Sequence, residues 1–194
     1  VAAGVLELTI TRKHHALRDI LRDLSLSLQA GEVVALKGPS GRGKTTVLQI
    51  AAGLDQDYQG QRILARGCRL AVIFQEPRLL PWRQTLDNIL ICKPPGGTAS
   101  AQQALAAVGL SEAATLYPDQ LSLGMQRRVA IARALATEPT VLIADEPLAS
   151  LDAQTAQTIR RLIRDQADLR GCAVLMATHS KDDCAIADRA ITLA

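Results

Sequence analysis

The sequence predicts an α/β fold with a mainly parallel central sheet, an antiparallel β part at the N-terminus and an inserted helical subdomain. Three observations predict it. Two early segments, Leu6-Glu-Leu-Thr-Ile10 and Leu24-Ser-Leu-Ser-Leu28, alternate apolar with polar residues, as strands covered on one face do. Three later runs, Val33 to Leu36, Val141 to Ala144 and Ala173 to Ala177, are apolar throughout, the pattern of strands buried on both faces of a parallel sheet. Between them lie helical patterns. Met125, Val129, Ala132 and Leu135 share one face, as do Ile159, Leu162, Ile163 and Leu169. Strands alternating with such helices make an α/β domain.

Gln29-Ala-Gly31 closes the second alternating segment with a turn. Cys92-Lys-Pro-Pro-Gly-Gly-Thr-Ala-Ser100 reads as a linker, with Ser100 capping a short helix through Val108. The helical subdomain is expected from about Thr85 to Thr137, inside a single domain spanning 1–194. A net charge of +3 is too mild to point to nucleic acid, and Arg127-Arg128 and Arg160-Arg161 are expected at solvated helix positions. Cys68, Cys92, Cys172 and Cys184 show neither CxxC spacing nor a matching histidine set, so reduced thiols in a cytosolic compartment fit better than a metal or disulfide framework. No apolar run reaches the roughly 18 residues of a membrane span, and the N-terminus lacks a signal-peptide layout. A membrane role is therefore expected to come through a partner.

Gly38-Pro-Ser-Gly-Arg-Gly-Lys-Thr-Thr46 stands between one buried strand and the helical-looking Val47-Leu-Gln-Ile-Ala-Ala52. It meets the pattern GxxxxGK[ST] in the strand-to-helix context that the pattern requires, which makes the fold a P-loop NTPase. Glycines let the backbone wrap closely around phosphates, and the helix N-terminus adds a favourable dipole. Lys44 would reach the β- and γ-phosphates, and Thr45 would ligate magnesium. Gly38, Pro39, Ser40, Gly41, Arg42, Gly43, Lys44, Thr45 and Thr46 are thus the candidate nucleotide-binding residues. A second constellation, Val141-Leu-Ile-Ala-Asp-Glu-Pro147, is an apolar strand ending in two carboxylates. Asp145 would hold the metal through water, and Glu146 would polarise an attacking water.

These residues resemble the ATP-binding cassette (ABC) ATPases over nearly the whole chain. The P-loop is followed in order by Phe74-Gln75 after a strand, a signature-like Leu121-Ser-Leu-Gly-Met-Gln126 and then Asp145-Glu146. A D-loop-like Leu148-Ala-Ser-Leu-Asp152 and a switch-like Thr178-His-Ser180 complete the series. The resemblance implies that two cassettes sandwich ATP between the P-loop of one and the signature of the other. Ser122 and the amides around Gly124 would then cap the γ-phosphate held by the partner chain. Gln75 would contact magnesium and the attacking water, and His179 would hold the γ-phosphate. Asp152 would face the partner cassette, with helix N-capping as its alternative role. The stretch from Phe74 to Ile89 resembles that of nitrate, sulfonate and taurine type importers, and Leu79, Leu80 and Trp82 offer apolar bulk for a permease helix or for local packing. The implied partners are a second cassette, membrane permease subunits and, through the complex, a substrate-binding protein, at the cytoplasmic face of the membrane.

Two positions depart from the family pattern. Leu123 stands where the signature has its first glycine, so it either keeps the partner's phosphate at a distance or breaks a glycine-only backbone angle. The aromatic that stacks on adenine is missing. An ungapped count puts His15 there, with His14 competing. The spacings are short, 31 residues from Lys44 to Gln75 and 47 from Gln75 to Ser122, which excludes the long coiled-coil insertion of chromosome and DNA-repair cassettes. The sequence stops soon after Ile191-Thr-Leu193, so no regulatory tail is expected. The rival reading is a degenerate cassette that binds ATP with little hydrolysis.

Overall fold

The computed structural model describes residues 4–15 and 18–193, the side chains of His15 and Arg18 excepted. β1 (Leu6–His15) and β2 (Arg18–Leu28) pair antiparallel, with Leu6 opposite Leu28, Leu8 opposite Leu26 and Ile10 opposite Leu24. The alternation read in the sequence thus stacks apolar residues on one shared face, where Leu6, Leu8, Ile10, Leu26 and Leu28 are buried. β4 (Gln59–Leu64), a strand without a signal in the sequence, adds to the other edge of β1. Gln59-Gly-Gln-Arg62 has no apolar alternation because this edge strand is largely exposed.

The second sheet is parallel, in the order β5-β6-β7-β3-β8, built from β3 (Val33–Lys37), β5 (Leu70–Ile73), β6 (Val141–Asp145), β7 (Ala173–Ala177) and β8 (Arg189–Thr192). All residues of β6 and β7 are buried, as unbroken apolar runs require. Successive side chains enter opposite cores. Val141 and Ile143 join the core shared with α1 (Lys44–Ala52) and the antiparallel sheet. Leu142 and Ala144 join the core shared with α2 (Thr85–Leu90), α3 (Gly97–Ala107), α4 (Leu123–Ala136) and α5 (Ala153–Arg170). α2, α3 and α4 all lie between β5 and β6 in the chain. A short α6 (Lys181–Cys184) follows β7. No helix among the described residues is long and apolar enough to cross a membrane.

Several local expectations are corrected. Ser100 lies inside α3, whose N-cap is Gly96 after the Pro94-Pro95 turn; no side chain caps it, and Gly97 at its first position has the left-handed φ of +59° that glycine accommodates. Leu169 is 80% exposed, because its position is rotated away from the Ile159–Ile163 stripe, which Ala167 continues instead. Of the two arginine pairs expected at solvated positions, only Arg161 is exposed. Arg127 donates to the Ala149 carbonyl, Arg128 to that of Val108 at 3.0 Å, and Arg160 to Asp183 at 2.7 Å. Their guanidinium groups satisfy two carbonyls and a buried acid instead of facing solvent.

Candidate active site

The chemistry-bearing residues follow the carboxyl ends of neighbouring parallel strands, where ligands of open α/β sheets bind. After β3, the chain turns through Gly38 and reaches α1 through Gly43, which has φ +83°. A Cβ on Gly43 would lie 2.8 Å from Ile20 Cγ2 and 2.9 Å from Leu21 Cδ2, so glycine is required there by conformation and by contact. Lys44 begins α1, is buried, and donates to the carbonyls of Gly38 at 2.8 Å and Pro39 at 3.0 Å. Its ammonium is thereby held across the mouth of the loop.

Thr45 Oγ1 donates to Asp145 Oδ2 at 2.7 Å, joining the start of α1 to the end of β6. Burial pushes the Asp145 carboxyl above its ordinary value, opposed by the Thr45 hydroxyl bond, aided by the neighbouring Glu146 charge and opposed again by Lys44. A cation at this point would offset the cost of keeping Asp145 ionised. The donors available here are a hydroxyl, a carboxylate and the amide of Gln75, which lines the same recess as Thr45 and Asp145. Hard oxygen donors of this kind, few in number, fit magnesium held jointly with phosphates.

Glu146 has φ +47°, a left-handed conformation uncommon for a non-glycine residue, and its N–H donates to the Ala177 carbonyl at 3.0 Å. The turn leaves its carboxylate 2.9 Å from His179 Nε2. Ser40, Gly41, Gly43, Lys44, Thr45, Thr46, Gln75, Glu146 and His179 all line one cleft of about 280 Å³. Ile20 lines it too. The sequence reading missed Ile20, whose only signal was its place in an apolar pair, Ile20-Leu21, two strands away from the loop it touches.

The signature-like segment and Asp152 do not line this cleft. Ser122 is the N-cap of α4, its Oγ accepting from the Met125 N–H at 3.2 Å. Leu123 is the first helical residue and is 52% exposed. It is not among the residues with positive φ, so the backbone-angle explanation for a glycine at this position is removed and only the steric one stays. Asp152 caps α5, accepting from the Thr155 N–H at 2.9 Å; the Thr155 hydroxyl first, and then this backbone bond, hold its carboxyl below the ordinary range. Capping is therefore a role it performs within this chain. His14 is half exposed with Nδ1 2.6 Å from Asp19 Oδ1, whereas the His15 side chain lies outside the described residues.

Beside the cleft, Phe74, Leu80, Ile91, Cys92, Pro95 and Arg133 line an apolar groove of about 680 Å³. Trp82 lies outside that lining, with 68% of its surface exposed, and Leu79 packs on the core. Buried Asn88 fixes the intervening loop by accepting from the Leu80 N–H at 2.7 Å and donating to the Arg83 and Gln84 carbonyls at 3.0 and 3.1 Å. A polar residue between Leu86 and Ile89 was the sequence signal for that clamp.

Residues 21–149 match the ABC transporter domain. The chain is 40% identical over 190 residues to the aliphatic sulfonates import ATP-binding protein SsuB 2 of Pseudomonas syringae pv. tomato, covering 97% of this chain and 82% of that protein. It belongs to the ABC transporter ATP-binding family. A relative of the same type from Streptomyces avermitilis is 43% identical, over 91% of this chain and 68% of that protein. Among solved structures, a post-hydrolysis dimer of the ATP-binding cassette MJ0796 bound to ADP and Pi superposes with a TM-score of 0.88 at 29% identity, covering 97% of this chain and 94% of that one. The α/β P-loop fold and the importer-type resemblance read from the sequence are both borne out, and the chain is an ATP-hydrolysing cassette of the transporter class.

Proposed function

We propose that the chain is the ATPase subunit of an importer of aliphatic sulfonates, working as a pair of cassettes at the cytoplasmic face of the membrane. The observation that carries the catalytic part is the convergence of the P-loop and Glu146–His179 in one cleft, with Asp145 joined to it through the Thr45 hydroxyl. P-loop amides and Lys44 hold the β- and γ-phosphates, and His15 is the adenine-stacking candidate. Thr45, Asp145 and Gln75 are the residues that would hold magnesium, which neutralises phosphate charge when bound. Glu146 orients a water and accepts its proton as the water oxygen attacks the γ-phosphorus and the bond to the β-phosphate oxygen breaks. His179 fixes that carboxylate and faces the γ-phosphate.

Ser122 and Gly124 present the N-terminus of α4 to the nucleotide of the second copy, and Asp152 meets that copy while capping its own helix. The groove lined by Phe74, Leu80 and Ile91, with exposed Trp82 beside it, receives a permease segment, and a substrate-binding protein joins through the complex. The sulfonate substrate and the inward direction come from the names of the relatives. Leu123 favours a second reading, an ATP-binding cassette with little turnover.

The test is ATP hydrolysis by the purified chain at several protein concentrations, with and without a magnesium chelator, and with Glu146→Gln alongside. Activity is expected to rise faster than linearly with protein, vanish on chelation and fall at least a hundredfold in the variant while ATP binding persists. Binding with no turnover in either protein favours the second reading.

A further inference from the structure

His179 is 45% exposed in its side chain, and the contact with Glu146 is a single one at 2.9 Å. Its placement is therefore set largely by the backbone on either side. Both flanking residues are tied to Asp183. Thr178 Oγ1 donates to Asp183 Oδ2 at 2.7 Å and itself accepts from the Ser180 N–H at 3.0 Å. Ser180 Oγ accepts from the Asp183 N–H at 3.4 Å, closing a ring around His179. The other carboxylate oxygen of Asp183 accepts from Arg160 Nε at 2.7 Å, anchoring the ring to α5.

Thr178 and Asp183 are 3% and 4% exposed. A buried carboxylate is costly unless charged and polar partners satisfy it, and here Thr178 directly precedes the switch residue while Arg160 reaches in from α5. A four-residue helix already capped by Ser180 does not require a buried ion pair to start it. We propose that Asp183 is a positioning residue for hydrolysis: with Thr178 and Arg160 it holds His179 against Glu146. The proposal rests on the reading of Glu146 and His179 as the hydrolytic pair.

The test uses Thr178→Val, which keeps the β-branched shape and removes both hydroxyl bonds, with Asp183→Asn, Asp183→Glu and His179→Ala. Thr178→Val and Asp183→Asn are expected to lower kcat at least tenfold with KM for magnesium-ATP within twofold; both also lower the thermal midpoint, since each leaves a buried partner unsatisfied, so turnover is read well below that midpoint. Asp183→Glu, which restores the carboxylate, is expected to recover most of that loss. In the His179→Ala background Thr178→Val is expected to lower kcat no further, because a positioning residue acts only through the group it positions.

A second readout needs no turnover. The chain has three histidines, so the His179 ring signal in a carbon–proton NMR spectrum is assigned by its absence in His179→Ala. Glu146→Gln should shift that signal in the parent protein and leave it unmoved in the Thr178→Val protein. Parental kcat together with a retained NMR response in Thr178→Val and Asp183→Asn overturns the proposal. Where the chain alone shows no turnover, the NMR response decides by itself. Undiminished turnover in His179→Ala together with a lost NMR response in Thr178→Val would instead retain the positioning and reject the hydrolytic pair.

Discussion

Leu123→Gly should make the protein less stable and more active. Leu123 opens α4 and is 52% exposed, so about half of its surface is covered by its own chain. Full burial of a leucine contributes roughly 1.5–3 kcal/mol, so removing the side chain costs about 1 kcal/mol. Glycine adds up to ~1 kcal/mol of helix penalty, reduced at a first-turn position where the Ser122 cap is retained. The sum, about 1–2 kcal/mol, corresponds to roughly 3–6 °C in thermal midpoint for a chain of this length. On the nucleotide-facing side the same change clears a branched side chain from the helix end that would cap the second copy's γ-phosphate. Turnover is expected to rise threefold or more, equivalent to ~0.7 kcal/mol of barrier. Thermal melting and magnesium-ATP hydrolysis, measured on the same preparation, give the two signs. Turnover that stays level or falls while the midpoint drops would refute the steric account and leave Leu123 as a packing residue.

Gly124→Ala should show the opposite pair of signs. An added Cβ meets Leu151 Cδ2 at 3.8 Å and the Ser150 carbonyl at 4.0 Å, ordinary contacts, so the helix gains up to ~1 kcal/mol. Turnover is nonetheless expected to fall tenfold or more if, as proposed, this helix end caps the second copy's phosphate, because the methyl group would then stand in its approach; an unaffected rate would remove Gly124 from the site. Asp188 reports on acid stability. Its carboxylate accepts from the Val33 N–H at 2.8 Å and from Arg164 at 3.0 Å, and the backbone bond, ahead of the arginine, holds it below the ordinary carboxylate range. A depressed folded-state value means stability that is present above pH ~4 and lost as pH falls through the lower folded value. Urea midpoints for Asp188→Asn should therefore lie below those of the parent at pH 6, with a gap that narrows as pH is lowered below ~4. A gap independent of pH would show that the group does not titrate as described.

How far the sequence revealed the site depended on what each residue needed. The P-loop was legible because glycine at 38 and 43, lysine and threonine answer local demands of a strand-to-helix turn. Asp145 and Glu146 were legible because two acids end an apolar strand. The left-handed backbone of Glu146 was not, since no glycine or asparagine marks it. Ile20 and Asp183 were missed for a shared reason. Ile20 meets Gly43 across the sheet packing, and Asp183 meets Arg160 from a helix 23 residues away, contacts that no periodicity encodes. Edge strands β4 and β8 were missed because exposure removes the apolar signal, while β3, β6 and β7 declared themselves by its completeness.

The sheet order explains one further feature of the site. β7 lies between β3 and β6, so the loops after β3 and β6 begin two strand spacings, roughly 10 Å, apart. A residue of the P-loop strand could not reach Asp145 across that distance. The contact is made instead from α1, which crosses above β7 so that Thr45 Oγ1 comes within 2.7 Å of Asp145 Oδ2. What β7 presents beneath this crossing is Ala177, the register partner of Leu36 on one side and of Asp145 on the other. Its methyl group is fully buried in the core that contains Val47, Leu48 and Ile50 of α1. A larger side chain would lift the start of α1 and lengthen the bond between threonine and aspartate, because packed interiors accommodate added methylenes only by shifting their neighbours. The small residue at the end of β7 is thus part of what brings the glycine loop and the Asp145 carboxylate into one site, although it carries no chemistry of its own.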